Sequence, residues 1–279
     1  MTEELWSRYG ELLQIWYDAG VKLPPEGGPN VLPIFEKHQP SALFYHGSKR
    51  SDHRWIGNEE GHAGYPCWST MPGPERGALS HNSDVWKEFL YNGDPEGSVW
   101  SPGMVDIVLR GKGGHDWFWR PDREHTIHEV DELMEMYYTS VGRNCNLVIG
   151  AVVNNQGLVP ETDVRCLGEF GDELDRRFSQ PVAETSGSDN VELPLSKPMD
   201  IDHLIIMEDI SQGERTREYV VNGLTPDGKW HRLCSGQSIG HKRIERFTPI
   251  KIASVRLQIT EARAAPGIRR LAAFKVSRP

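Results

Sequence analysis

The 279-residue sequence contains no apolar run that approaches the ~18–20 residues of a transmembrane helix. Its longest candidate, 146–153, reads as one buried strand. Basic residues are outnumbered, with 31 Lys and Arg against 40 Asp and Glu and a net charge of −9. Such a surface repels phosphate backbones, so neither nucleic acid nor a membrane is an expected partner. Cysteine is scarce: Cys67, Cys145, Cys166 and Cys234 make no CxxC pair. That excludes a thiolate zinc site and gives no support for a disulfide framework, and each reads as a small buried side chain. There is no internal repeat and no low-complexity segment. Residues 1–8 are acidic and lack a basic n-region or an apolar h-region, so no signal peptide is expected in this chain.

What is present is the balance of a soluble globular protein, 37% hydrophobic and 25% charged, with nine Trp. Trp clusters suit sugar recognition, because ring faces pack on pyranose C–H faces, although they are also common in large cores. A helix over 3–11 would present Leu5, Tyr9 and Leu12 on one face. Leu12 to Trp16 suits a buried parallel strand, residues 24–29 a loop, and 30–37 a short helix. A second strand follows over 42–45. The stretch 61–116 shows little periodicity, as functional loops do. Thr126 and Glu129 form a capping box for a helix with Ile127, Val130, Leu133, Met134, Tyr137 and Val141 on its apolar face. Residues 146–153 read as a strand, and Pro160 opens a helix carrying Val164, Leu167, Phe170, Leu174 and Phe178 at the 3.6-residue period. After Ser179 to Pro181 the pattern changes to short β-rich runs separated by turns such as Asn222-Gly223. The expected architecture is α/β then all-β, with βα units over 1–179 and a β-sandwich over 180–279.

An acidic residue just past a strand's C-terminal end is where barrel enzymes place catalytic groups. Asp18 has that position, and it could equally be a residue that turns the chain. Glu59 and Glu60 follow the next strand, Glu59 lying 41 residues after Asp18. Paired carboxylates flanking a glycosidic bond, ~5–5.5 Å apart in retaining enzymes, are the machinery of glycosidases. Spacing along the chain leaves open whether these two meet or whether the Glu pair belongs to an ordinary polar loop. His115, His125 and His128 resemble a metal cluster by count only, so no metal site is assigned.

Leu13 to Gly20, with Ile15-Trp16-Tyr17-Asp18 at its centre, resembles the nucleophile strand of glycoside hydrolase family 29, the α-L-fucosidases. Arg54-Trp55-Ile56-Gly57-Asn58-Glu59, followed by Gly61-His62-Ala63-Gly64 and Trp68-Ser69-Thr70, resembles the acid/base loop of the subgroup acting on α1,3/α1,4-linked fucose. The run Tyr137-Tyr138-Thr139-Ser140-Val141-Gly142-Arg143-Asn144 is similar to a late-barrel signature of that family, and the resemblance covers essentially the whole chain. It implies a retaining α-L-fucosidase with Asp18 as nucleophile and Glu59 as acid/base, and Glu60 as a less favoured substitute. It further implies Trp16, Arg54, Trp55, Glu60 and Trp117 near the substrate, Trp117 lying on the sugar's methyl group. No cofactor is implied, the expected ligand is a fucosylated oligosaccharide or glycoconjugate, and the family is often secreted or periplasmic.

The sequence also departs from the family. Ala19 replaces the Gly after the nucleophile, Gly103-Met104 replaces an Ala-Glu pair, and the strand from Leu147 lacks an Asn-x-Pro-Pro continuation. A (β/α)₈ barrel takes ~250 residues, and about 180 precede the sandwich here. The expectation is therefore a TIM-type barrel half, N-terminally truncated, whose pocket is completed by a second copy or by a chain supplying the missing strands. The alternative is a non-catalytic carbohydrate-binding or scaffolding fragment of a fucosidase.

Overall fold

The computed structural model describes residues 1–22, 24–47, 50–73 and 88–277. The chain gathers into two compact units, Met1–Gly57 with Trp68–Met104, and Asn58–Cys67 with Val105–Pro279.

In the first unit, α1 (Thr2–Arg8) is followed by β1 (Gln14–Val21), α2 (Leu32–His38) and β2 (Leu43–Gly47). β1 and β2 run parallel with Ile15 opposite Phe44 and Trp16 opposite Tyr45, which makes β1–α2–β2 a βαβ unit. Its core gathers Trp6, Ile15, Val31, Phe35, Ala42 and Phe44. The expected face of Leu5, Tyr9 and Leu12 is not the one buried: Leu5 and Tyr9 are exposed. Trp6 goes inward instead, edge-on to Tyr17 and Phe35 at 6.3 and 6.0 Å. Gln39 closes the α1–β1 connection, its amide donating to the carbonyls of Trp6 (2.6 Å) and Gly10 (2.9 Å) and accepting from the Leu12 N–H. Three short strands follow, β3 (Arg54–Trp55), β4 (Thr70–Met71) and β5 (Val99–Trp100).

The stretch read as aperiodic contains a further strand, β6 (Gly103–Val108), all six of whose residues are buried. Part of that stretch, 74–87, lies outside the described residues.

In the second unit, α3 (Val130–Thr139) begins three residues later than the Thr126 cap would set it. Thr126 ends a 3₁₀ turn, donating its hydroxyl to the Arg123 carbonyl (2.7 Å), and Ile127 after it is extended rather than helical, so no helix begins there. The capping box is Glu129–Glu132, one frame further on. β7 (Asn146–Gly150) and α4 (Glu161–Phe178) complete this part.

From Ala183 onward every regular element is a strand: β8 (Ala183–Gly187), β9 (Asn190–Glu208), β10 (Thr216–Leu224), β11 (Trp230–Gly236), β12 (Arg243–Ala262) and β13 (Ile268–Phe274). Their order is β11-β10-β12-β9-β13-β8. The two long strands, β9 and β12, change register partway, where Pro198 and Pro249 fall in the breaks of the ladder. Beyond their pairing with each other, the C-terminal half of β12 pairs with β10, which carries β11 on its far side, and the C-terminal half of β9 pairs with β13, which carries β8. A core containing Val191, Leu193, Leu204, Ile206, Val221, Val255, Leu257, Leu271 and Ala273 draws on both halves, which is how one continuous sheet makes the two layers of a sandwich.

The alternate residues Ile205, Ile244, Ala272 and Phe274 face the other way, onto Leu133, Met134 and Tyr138 of α3 and Cys166 and Phe170 of α4. One layer is therefore buried on both faces, and the helices before residue 180 share a core with strands after it. Phe274→Ala should accordingly lower unfolding free energy by about 3–5 kcal/mol in urea titration. Val164→Ala, at an exposed position of α4, should stay within about 0.5 kcal/mol.

Candidate active site

Asp18 sits on β1 where pairing with β2 breaks. Between the pairs Trp16–Tyr45 and Val21–Gly47, β1 advances five residues while β2 advances two. The three surplus residues lift Asp18 out of the ladder, and it is exposed. Trp16, half-buried, lies edge-on to Tyr45 at 5.8 Å, and Tyr45 stacks on His53 at 4.7 Å. His53 Nε2 meets the Gln14 side-chain nitrogen at 3.2 Å; with that amide as donor, the imidazole proton is on Nδ1. Nδ1 of His53 and Nε1 of Trp16 are both buried with no hydrogen-bond partner among the described residues. Burial is the main cause that pushes the His53 pKa down to about 4, with His46 adding to it and Asp52 opposing.

Arg54 is fully buried in the same unit. Its guanidinium donates to the carbonyls of Leu90 (2.9 Å) and Ser101 (2.6 Å), bracing the chain that leads into the Glu59 loop. Trp55 is half-buried, paired through the backbone with Met104.

Glu59 belongs to the second unit. Its Oε2 accepts from the Trp117 indole N–H (3.1 Å) and contacts His115 Nε2. Between these two partners Asp116 turns the other way, buried against Arg123 (2.8 Å) and Arg120 (2.6 Å). The Arg123 hydrogen bond is the main reason its carboxyl is held below the usual range. The far edge of the Trp117 ring lies over Gly150, where a Cβ would stand 2.6 Å from Cζ3. Glu60 goes elsewhere, lining a hollow of about 640 Å³ with His62, Glu135 and Arg143, and reaching His62 at 3.6 Å.

The segment carrying Glu59 is tied down along its length. Asn58 bonds to the Glu60 N–H and the His62 carbonyl. Gly61 has φ +79°, and a Cβ there would meet Ile107 and Met136 at 2.7 Å. The Ala63 N–H donates to the Thr139 carbonyl (2.9 Å), and its carbonyl accepts from Arg143 (2.6 Å). Asn144, buried at φ +67°, donates from its amide to the Cys67 carbonyl (3.2 Å) and to Glu214, and accepts from the His241 N–H (2.7 Å).

Sequence reasoning missed His115, His53 and Asn144 as site residues. His115 could have been found from the period-two placement of His115 and Trp117 about Asp116. Among the described residues no group of three or more His, Cys, Asp or Glu side chains is arranged to hold a metal ion.

Two measurements test these placements. Asn144→Ala strands several buried polar groups and puts Ala at a left-handed φ, so it should cost roughly 2–4 kcal/mol in denaturant titration. His53 binds its proton more weakly folded than unfolded, so stability should fall as pH drops from about 6.5 to 4 and then level off, by on the order of 3 kcal/mol in all. Urea titrations at pH 7 and 4.5 should show that loss, reduced in His53→Gln.

No protein-family model matches the chain. It is 27% identical to Alpha-L-fucosidase 1 of Arabidopsis thaliana over 304 residues, covering 94% of this chain and 58% of the plant protein. It is 44% identical to a candidate α-L-fucosidase of Bacteroides thetaiotaomicron of known crystal structure, with TM-score 0.92 over 99% of this chain and 63% of that one. A Ruminococcus gnavus GH29 fucosidase, solved as a point mutant in complex with fucose, shares the fold at TM-score 0.80 and 21% identity over 100% of this chain and 65% of that one. The chain thus spans less than two thirds of the length of each. Over the part that it spans, the chain is similar in sequence to α-L-fucosidases and in fold to a glycoside hydrolase family 29 fucosidase.

Proposed function

We propose that this protein hydrolyses terminal α-L-fucosyl linkages of oligosaccharides or glycoconjugates with retention, through a TIM-type barrel region over 1–179 that precedes the sandwich of 180–279. Asp18 attacks the anomeric carbon and forms a fucosyl ester. Glu59 gives a proton to the departing oxygen, then takes one from the water that cleaves the ester. Trp117 lies on the sugar's methyl group. Trp16 supplies an indole face and an unspent N–H donor, and Trp55 lines the approach. Arg54 serves by bracing the Glu59 loop, and Glu60, paired to His62, stands outside the chemistry. The fucose linkage read from the loop motif is α1,3 or α1,4. No cofactor is called for.

The observation that carries this reading is the grip on Glu59: one carboxylate oxygen held by Trp117 and His115, in a chain related along its length to α-L-fucosidases. A positioned acid is what glycosidase chemistry requires, and orientation can supply ~7–11 kcal/mol of the barrier.

A second copy, or a chain adding strands beside β1 and β2, completes the pocket. Among the described residues β1 and β2 form a sheet of two strands only, and two buried N–H donors beside it lack acceptors. The same observation favours the second reading, a unit that binds fucosylated glycans without cleaving them.

The test is turnover of an aryl α-L-fucoside by the purified chain, with the product anomer followed by proton NMR. Slow hydrolysis giving α-fucose first is expected, with Asp18→Gly lowering it by at least about 10³-fold. Glu59→Gln should slow poorer leaving groups more than aryl ones. Turnover that survives loss of the Asp18 carboxylate would overturn the assignment, and fucose binding without turnover would establish the second reading.

A further inference from the structure

Outside that chemistry, two buried thiols face each other. Cys67 Sγ and Cys145 Sγ lie 3.4 Å apart, although 78 residues separate them in the chain. Their backbones are already joined through one neighbour: the Asn144 amide donates to the Cys67 carbonyl (3.2 Å), and Asn144 precedes Cys145. The Cys145 N–H donates to the Ser140 carbonyl (3.1 Å) and the Cys67 N–H to Ser238 Oγ (3.1 Å), so neither backbone has to be recruited from elsewhere.

We infer that Cys67 and Cys145 are a modification site, a dithiol that peroxide converts to an intramolecular disulfide. A disulfide needs ~2.05 Å between sulfurs, so the pair must close by about 1.4 Å, within reach of side-chain rotation when the backbones are held together. One thiolate attacks a peroxide oxygen, breaking the O–O bond to give a sulfenic acid and a molecule of water after protonation. The second thiolate attacks the sulfenic sulfur and expels its hydroxyl as a second water. Two thiols lose two protons and two electrons, and hydrogen peroxide is reduced to two waters.

The other two cysteines are differently placed. Cys166 donates its S–H to the His128 carbonyl (3.3 Å) instead of facing a second thiol. The bond would fasten the segment that carries Glu59 to the turn after α3 and close a loop of 78 residues.

Trypsin separates the two cysteines into peptides 55–76 and 144–165, each holding one cysteine. After hydrogen peroxide treatment of the intact protein and alkylation under denaturing conditions, these two should appear linked, about 2 Da below their summed mass. The titratable thiols should fall from four to two, and the melting temperature should rise by several degrees, reversed by dithiothreitol. Cys67→Ser and Cys145→Ser should each abolish the linked peptide and the shift. The map on the parent protein decides the matter whether or not either variant folds. Sulfinic acid at Cys67 or Cys145, a link through Cys166 or Cys234, or four thiols still open to alkylation would overturn the inference. The readout does not depend on fucosidase activity.

Discussion

Asn144 is the residue on which the second unit's assembly depends. It is buried, sits in the left-handed region, and spends both ends of its amide: Nδ2 on Cys67 and Glu214, Oδ1 on the His241 N–H. Its own N–H donates to the Lys242 carbonyl. Few side chains could do this. Glycine would take the backbone conformation but leave those partners unmet, and aspartate would put a second carboxylate against Glu214. The approach also requires Gly240 at φ +58°, since a Cβ there would stand 2.2 Å from the Asn144 amide. One buried amide thereby joins the loop that carries Glu59, the turn after α3 and the sandwich.

That junction explains why the compact units ignore the change in sequence character near residue 180. The layer made by β13, the C-terminal half of β9 and the N-terminal half of β12 places Leu204, Ile206 and Leu271 in the sandwich core. Ile205, Ala272 and Phe274 lie under α3 and α4. A sheet apolar on both faces cannot stand as a free-standing domain, because one face would be left in water. The helices are thus structurally part of the sandwich that follows them in the chain.

How much of this was legible from sequence differs by element. The βαβ unit and the two helices before Ser179 were readable because α3 and α4 keep a 3.6-residue apolar period and β1 and β2 are short apolar runs, whereas β3, β4 and β5, two residues each, leave no pattern. The buried side of α1 was not: the helix is only seven residues long, and Phe35 and Tyr17 decide that Trp6 goes inward. β6 escaped because Asp106 interrupts its apolar run, yet it is as buried as its neighbours. The start of α3 was misplaced because the same four-residue capping spacing recurs one frame later, and Thr126 is taken up in a 3₁₀ turn that an extended Ile127 separates from the helix. In the candidate site, Glu59 and Trp117 were proposed through family likeness and prove to be hydrogen-bonded to each other. His115 was considered only as a metal ligand, and pairings across long stretches of chain, such as Cys67 with Cys145, leave no local signal.

The two carboxylates singled out by sequence stand in opposite surroundings, and the contrast bears on what each unit can recognise. Glu59 has its partners already in place within its own unit, so its geometry is prepared before any ligand arrives. Asp18 is exposed on a bulged strand, and in the same unit Trp16 and His53 each carry unmet hydrogen-bonding capacity. Both unmet groups are N–H donors embedded in an aromatic stack with Tyr45. Burying such donors without acceptors costs ~1–3 kcal/mol each, a cost that a bound acceptor removes. A ligand that offers hydroxyl oxygens along its edge and C–H groups on its face meets both requirements at once, whereas a purely apolar ligand would leave the donors stranded and a cation would repel them. That is the chemistry of the sugar ring in the proposed reaction.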